Sequence, residues 1–321
     1  MTPATALDTD LLTEVQTARR AFFARIEPVR PELYRYCRRL TGSVWDAEDL
    51  LQETLTRAFA RAADSHQRVE RMLPWLVRIA TNAYLDWRRR PAPIPAEPPD
   101  APSAAGTDPL EVRDALGEVA TLLPPQERTA VVLKDVFDLP LAEIAAMVAT
   151  SVGAVKAALH RGRGRLSAPA AEREAALDRR AAPDRAVLDA LAAAFTAYDL
   201  DRLTALLLSD AASEVVGMVY EVGAETIRRG SLHHTLVVES DVRYRAEVRA
   251  LDGEPVVLLW QAPVDGSAPE AVADVLRVET ADGRIARLRW YFFCPETLTE
   301  VGERLDVPVR PHGYRFSPEP G

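Results

Sequence analysis

Along the first ninety residues apolar side chains recur every three or four positions. In 46–62, DAEDLLQETLTRAFARA, the residues Ala47, Leu50, Leu51, Leu55, Ala58, Phe59 and Ala62 fall on one stripe, which predicts an amphipathic helix buried along that face. A second helical pattern covers 73–90, LPWLVRIATNAYLDWRRR. From Pro124 the period repeats in three shorter pieces. Pro124-Pro125-Gln126-Glu127 opens a helix to about Val136, and Leu139-Pro140 breaks it. Residues 141–148 then make a short helix with Ile144 and Val148 inward, and 154–166 a longer one anchored by Val155, Leu159 and Leu166. After 184, DRAVLDALAAAFTAYDLDRLTALL gives two further helices, and the pattern then turns β-rich at 214–222, 242–251, 256–261, 272–280 and 284–293. The last two runs join at Asp282-Gly283, a strong hairpin signal. A short helix with Leu298, Val301 and Leu305 on one face follows.

Composition divides these elements into modules. Residues 91–109, PAPIPAEPPDAPSAAGTDP, hold seven prolines, three acids and neither Lys nor Arg, a linker composition that forms no core. A weaker boundary is the Ala-rich, charged stretch 169–183. The expected organisation is a helical module at 1–90, the linker 91–109, a second helical module at 110–168, a linker at 169–183, an α+β module at 184–294, and a C-terminal helix and tail at 295–321. The formal net charge of −9 speaks against indiscriminate binding to nucleic acid, although where the charge sits matters more than its sum. Cys37 and Cys294 lie far apart, so neither a disulfide framework nor a cysteine metal site is expected, and no metal-ligand spacing or cofactor motif is present. No apolar run approaches the roughly 18 residues needed to cross a bilayer, and the N-terminus lacks the order of a signal peptide; the expectation is a cytoplasmic protein without a membrane partner.

Local charge then picks out three surfaces. The face of 46–62 opposite the apolar stripe carries Asp46, Asp49, Gln52 and Glu53; taken alone it reads as a solvated face whose acids suit the helix dipole. In 73–90, Arg78, Arg88, Arg89 and Arg90 stand against a lone Asp86, interleaved with Trp75, Tyr84 and Trp87. Rings and guanidinium groups together suit unstacked DNA, while core packing and C-terminal capping account for the same residues equally well. The most specific signal is the short helix, tight turn and longer helix of 141–166, the plan of a helix-turn-helix. From Ser151 to Ala168 the chain carries Lys156, His160, Arg161, Arg163 and Arg165 and no acid, the stripe that phosphate neutralisation requires. Gly162 and Gly164 interrupt that helix and predict a frayed last turn, and Ala149 stands where such turns often carry Gly.

These segments in this order resemble the extracytoplasmic-function sigma factors of bacterial RNA polymerase over about 30–166: DAEDLLQETLTRAFARA, PWLVRIATNAYLDWRRR, the acidic Pro-rich linker, and LLPPQERTAVVLKDVFDLPLAEIAAMVATSVGAVKAALHRGRGRL. The resemblance implies two all-α sigma modules, with core RNA polymerase and promoter DNA as partners. It makes Asp49, Gln52 and Glu53 candidates for docking on the polymerase clamp. It assigns Arg78, Asn82, Arg88, Arg89 and Arg90 to the minus-10 element, and Lys156, Ala157, His160, Arg161, Arg163 and Arg165 to the minus-35 element. Within the last set, Lys156 is the one most able to bond a guanine edge and Arg163 and Arg165 suit phosphates.

The module from 184 onward, two helices followed by a curved antiparallel sheet, resembles the SnoaL-like cone, and such a domain is appended to a subset of these factors. The fold class expected is therefore multidomain: two all-α modules followed by an α+β cone. Enzymes on that cone use a carboxylate with Tyr or His partners, for which Glu214, Glu221, His233, His234, Asp274 and Tyr291 are available, but no catalytic motif is present. A regulatory cone, open to a small-molecule ligand and able to dock with the tail on the helical modules, is the preferred reading. The alternatives are a stand-alone helix-turn-helix regulator and a cyclase- or isomerase-like enzyme with a DNA-binding appendage.

Overall fold

The computed structural model describes residues 9–64, 69–89, 123–148, 150–166 and 183–313. The chain forms two compact units, Met1–Arg179 and Arg180–Gly321.

In the first unit α1 spans Thr9–Ile26, α2 Arg30–Thr41, α3 Val44–Asp64 and α4 Met72–Arg89. Helix α2 starts at a proline turn and stops at Gly42, whose left-handed φ of 78° lets its N–H return to the Arg38 carbonyl. Ser43 caps α3 by accepting the N–H of Asp46 at 3.3 Å. The predicted stripe of α3 is the buried one: Ala47, Leu50, Leu51, Leu55 and Ala58 are enclosed and Phe59 is half-buried, its ring 5.3 Å from that of Phe22. Two polar links cross the bundle inside it, Tyr36 to Thr81 between hydroxyls at 2.5 Å and Arg30 to Glu48 at 3.4 Å.

The second helical set is α5, Pro125–Val131, continued by a π-helical turn at Val132–Val136, then α6, Leu141–Met147, and α7, Val152–Leu166. Ser151 caps α7 by accepting the N–H of Ala154 at 3.1 Å. Ile144, Val155 and Leu159 are buried as the pattern requires, whereas Val148 is half-buried; Ala149 lies outside the described residues. The frayed end expected at Gly162 is corrected: the helix runs on to Leu166, and Gly162 is buried against α5. A Cβ there would lie 2.9 Å from Val131 Cγ2 and 3.3 Å from Leu123 Cδ1, so the glycine serves close helix packing.

The second unit opens with α8, Arg185–Thr196, and α9, Leu200–Leu206, capped by Asp184 and Asp199. A six-stranded sheet follows: β1 Leu207–Val215, β2 Val219–Val222, β3 Val242–Leu251, β4 Glu254–Pro263, β5 Ala271–Ala281 and β6 Arg284–Trp290, in the order β2-β1-β6-β5-β4-β3. Two expectations are corrected here. The single strand predicted over 214–222 is a hairpin that turns at Gly217, φ 77°. The sheet is mixed, because β1 pairs parallel with β6. The helical segment between β2 and β3, which begins with α10 at Ala224–Ile227, carries the chain from one sheet edge to the other, so the remote strands β1 and β6 meet in the middle. Both tight hairpins, Asp252-Gly253 and Asp282-Gly283, place two successive residues at positive φ, as a two-residue turn of that hand demands. Phe195 of α8 packs between Tyr244 and Trp290, with ring centroids 6.2 Å and 6.1 Å away. The last helix, α11 at Pro295–Leu305, packs on β3 and β5 with Leu298 and Val301 buried and Leu305 half-buried. Beyond it Val309 bridges to Val272.

Candidate nucleic-acid interface

The basic helix is built to be presented. Val155, Ala158 and Leu159 are buried against α5 and α6, which turns the opposite stripe of α7 to solvent. Lys156, Ala157 and His160 are all exposed on that stripe, together with Val152 and Gly153. No acid lies on α7 itself. Two of the predicted DNA residues are engaged elsewhere. Arg161 Nε donates to Glu127 Oε1 at 3.0 Å, and Arg163 forms a two-pronged pair with Asp135, Nε to Oδ2 at 3.0 Å and a second bond from Nη2 to Oδ1. That pairing raises the Arg163 pKa. Both arginines thus point back onto α5 and the π turn. The side chain of Arg165 lies outside those described.

On α4 the structure separates rings from charges. Tyr84 is buried, and Trp75 and Trp87 are half-buried against the core, so the three rings serve packing. Arg78 and Arg88 are exposed and Asn82 is half-exposed, with Arg78 and Asn82 one turn apart on the same side. The side chains of Arg89 and Arg90 lie outside those described. On α3, Asp49, Gln52 and Glu53 are half-exposed on one face. Gln52 donates to the buried Glu48 at 2.7 Å, while Glu53 accepts from Arg57 at 2.7 Å, and Arg57 also reaches Asp86 of α4 at 3.0 Å.

A feature that periodicity did not bring out joins the two helical sets. Arg128, in the polar stretch QERT that precedes the apolar run 130–133, is only 6% exposed, and burial lowers the pKa of its guanidinium. Its Nη1 donates at 2.6 Å to the carbonyl of Leu40, in the last turn of α2, and its Nη2 at 3.1 Å to the Leu123 carbonyl. The group lies 5.9 Å from the Tyr84 ring centroid. Beside it, Phe137 meets Tyr36 edge-on at 5.2 Å and receives Arg39 at 5.7 Å over its ring. A guanidinium supplying the donor that a helix C-terminus lacks is favourable on both hydrogen-bond and dipole grounds. Flanked by Gln126, Glu127 and Thr129, Arg128 gives no sign in the sequence of being buried.

In the second unit the six acid, His and Tyr candidates are dispersed. Glu214 pairs with Arg287 at 2.8 Å and Arg289 at 3.0 Å, and Glu221 accepts from the N–H and hydroxyl of Ser231. His233 and His234 are exposed, the latter 3.5 Å from Glu239. Asp274 and Tyr291 are fully buried, and Asp274 Oδ1 accepts the N–H groups of Val275 and Tyr291 at 2.6 Å and 2.8 Å. Burial pushes the Asp274 carboxyl well above the usual carboxylate range. Nearby, Tyr244 bonds to Glu239 and accepts from Gln261 at 3.0 Å. Among the described residues no cluster of three His, Cys, Asp or Glu side chains could hold a metal ion, and no single helix is long and apolar enough to cross a membrane. Both cysteines are buried thiols.

Comparison with known proteins agrees with this layout. Residues 25–92 match the family model Sigma-70 region 2, and residues 113–166 match Sigma-70, region 4. The chain is 37% identical over 229 residues to the ECF RNA polymerase sigma factor SigG of Mycobacterium tuberculosis, covering 60% of this chain and 61% of SigG. It therefore spans about three fifths of that relative's length. It is 32% identical over 166 residues to the ECF RNA polymerase sigma factor SigW of Bacillus subtilis, covering 44% of this chain and 85% of SigW. Among solved structures it is similar to the extracytoplasmic function sigma factor SigJ of Mycobacterium tuberculosis, at 24% identity and a TM-score of 0.33, over 84% of this chain and 95% of that one. By its two matched regions and its likeness to SigW along most of that protein, the chain belongs to the ECF RNA polymerase sigma factors.

Proposed function

We propose that the chain is a cytoplasmic, non-enzymatic transcription-initiation factor that docks on core RNA polymerase and directs it to promoters by reading two DNA elements. The observation that carries the reading is the exposed stripe of α7, basic and free of acid on a chain of net charge −9. That stripe reads the minus-35 element in the major groove, with Lys156 on a base edge and Ala157 and His160 beside it. Arg78, Asn82 and Arg88 of α4 engage the minus-10 element, joined by Arg89 and Arg90. Since the rings of α4 serve the core, the unstacked strand is held there by guanidinium and amide groups more than by stacking. The half-exposed face of Asp49, Gln52 and Glu53 meets a basic surface of the polymerase.

The two helical sets separate when the factor assembles on a promoter. Elements named for positions 25 base pairs apart lie about 85 Å apart along the duplex, whereas a packed unit of this size is about 40 Å across. The contact around Arg128 and Phe137 therefore belongs to the unassembled chain. The second unit is a SnoaL-like regulatory cone, and its buried Asp274, Tyr244 and Gln261 offer polar groups to a small uncharged ligand.

Asp49→Arg or Glu53→Arg should weaken binding of the full chain to core polymerase at least tenfold, while loss of the Glu53 to Arg57 pair costs the fold no more than about 1 kcal/mol in thermal unfolding. Unchanged affinity in both variants would remove the docking assignment.

A further inference from the structure

The ion pairs of Arg161 and Arg163 and the burial of Gly162 commit the second half of α7 to its own module. The Ser151 hydroxyl is likewise committed, as the cap of the helix. What remains on the outer stripe is Val152, Gly153, Lys156, Ala157 and His160, all exposed. Only Lys156 and His160 there carry side-chain hydrogen-bonding groups, and the other reading groups are apolar or absent.

Val152 stands out within that set. Among the described residues of the first unit it is the one exposed large hydrophobic side chain, at 37%. Folding gives it little reason to be there: a β-branched residue in the first turn of a helix has modest helix propensity, and more than a third of its surface stays in water. A helix-turn-helix presents the N-terminal residues of its second helix to base edges, so the first turn of α7 is where bases are met. Lys156, one turn further along the same stripe, places a cation beside it, which favours approach of the duplex. In the major groove the apolar group that distinguishes one base from the others is the 5-methyl of thymine.

We propose that Val152 is a specificity-determining residue of α7, seated on the 5-methyl group of a thymine in the upstream promoter element. The inference rests on the assignment of α7 as the duplex reader. It makes that readout one part hydrogen bond, from Lys156, and one part methyl contact.

The test uses the full chain bound to core polymerase. Duplexes randomised across the upstream element are selected for binding, and each thymine of the selected element is then replaced singly by deoxyuridine, which exchanges only the methyl for hydrogen. At one position the exchange should weaken binding of the unaltered chain about fourfold, the worth of one buried methyl. Val152→Ala should bind the thymine duplex weaker by a similar factor and should not distinguish thymine from uracil at that position. Lys156→Ala should bind less tightly overall yet keep the thymine to uracil ratio. A ratio that persists in Val152→Ala, or no thymine position sensitive to the exchange, overturns the role of Val152 alone. Failure to enrich any upstream sequence overturns the assignment of α7 itself, and the inference with it.

Discussion

At the scale of single residues, Gly162 sets helix propensity against packing: glycine weakens a helix, yet a Cβ at this position would meet Val131 and Leu123. Gly162→Ala should therefore destabilise the first unit by about 1–3 kcal/mol through overpacking, although alanine is the better helix former. Chemical denaturation measures this, and a stabilised variant would contradict it. Asp274 supplies a second residue-scale test. Its folded pKa is raised by burial, so the folded chain holds a proton that the unfolded chain releases above about pH 4. Stability should fall as pH rises from there toward the folded pKa. Asp274→Asn keeps an acceptor for Val275 and Tyr291, and should flatten this fall above about pH 4 in thermal unfolding of the second unit. An unchanged slope would mean that the carboxyl does not carry the proton.

At the scale of elements, the helix-turn-helix and both Asp-Gly hairpin turns follow from local chemistry. Asp282-Gly283 stands between two β-rich runs, and Asp252-Gly253 carries the same signal. The sheet's mixed order was not readable, because the β1 to β6 pairing joins strands some seventy residues apart and leaves no trace in either pattern. The charge of α7 was legible as a total but not as a distribution. Asp135 and Glu127 lie well before the helix in sequence, and only the fold shows that they hold Arg163 and Arg161. Arg163 is itself more than half exposed, so its pair with Asp135 is worth about 1 kcal/mol, and releasing it should have a modest effect. Asp135→Asn should tighten duplex binding a few-fold and steepen its salt dependence by about one ion. Affinity measured across a salt series decides this; weaker binding in the variant would show that the pair orients Arg163 for DNA instead.

At the scale of the whole molecule, the Pro-rich linker announced two helical sets but not their packing on one another through Arg128 and Phe137. Arg128 sits among Gln126, Glu127 and Thr129, a polar stretch that sequence alone cannot distinguish from a surface turn of helix. Phe137→Ala should loosen this contact without dismantling either set, since Phe137 is only half-buried. Fluorophores at exposed positions 35 and 146 should then move apart in the free chain. In the unaltered chain they should separate only when core polymerase and promoter are added. A distance that stays short in the assembled complex would contradict the opening step.

The most direct test of the account is run-off transcription by purified core polymerase and the full chain on a selected promoter. A defined transcript should appear only with the chain present, and it should be lost on Lys156→Glu and, independently, on Arg78→Glu, with both variants still bound to polymerase. A chain that binds the duplex but starts no transcript, or transcripts that survive both substitutions, would contradict the two-element reader.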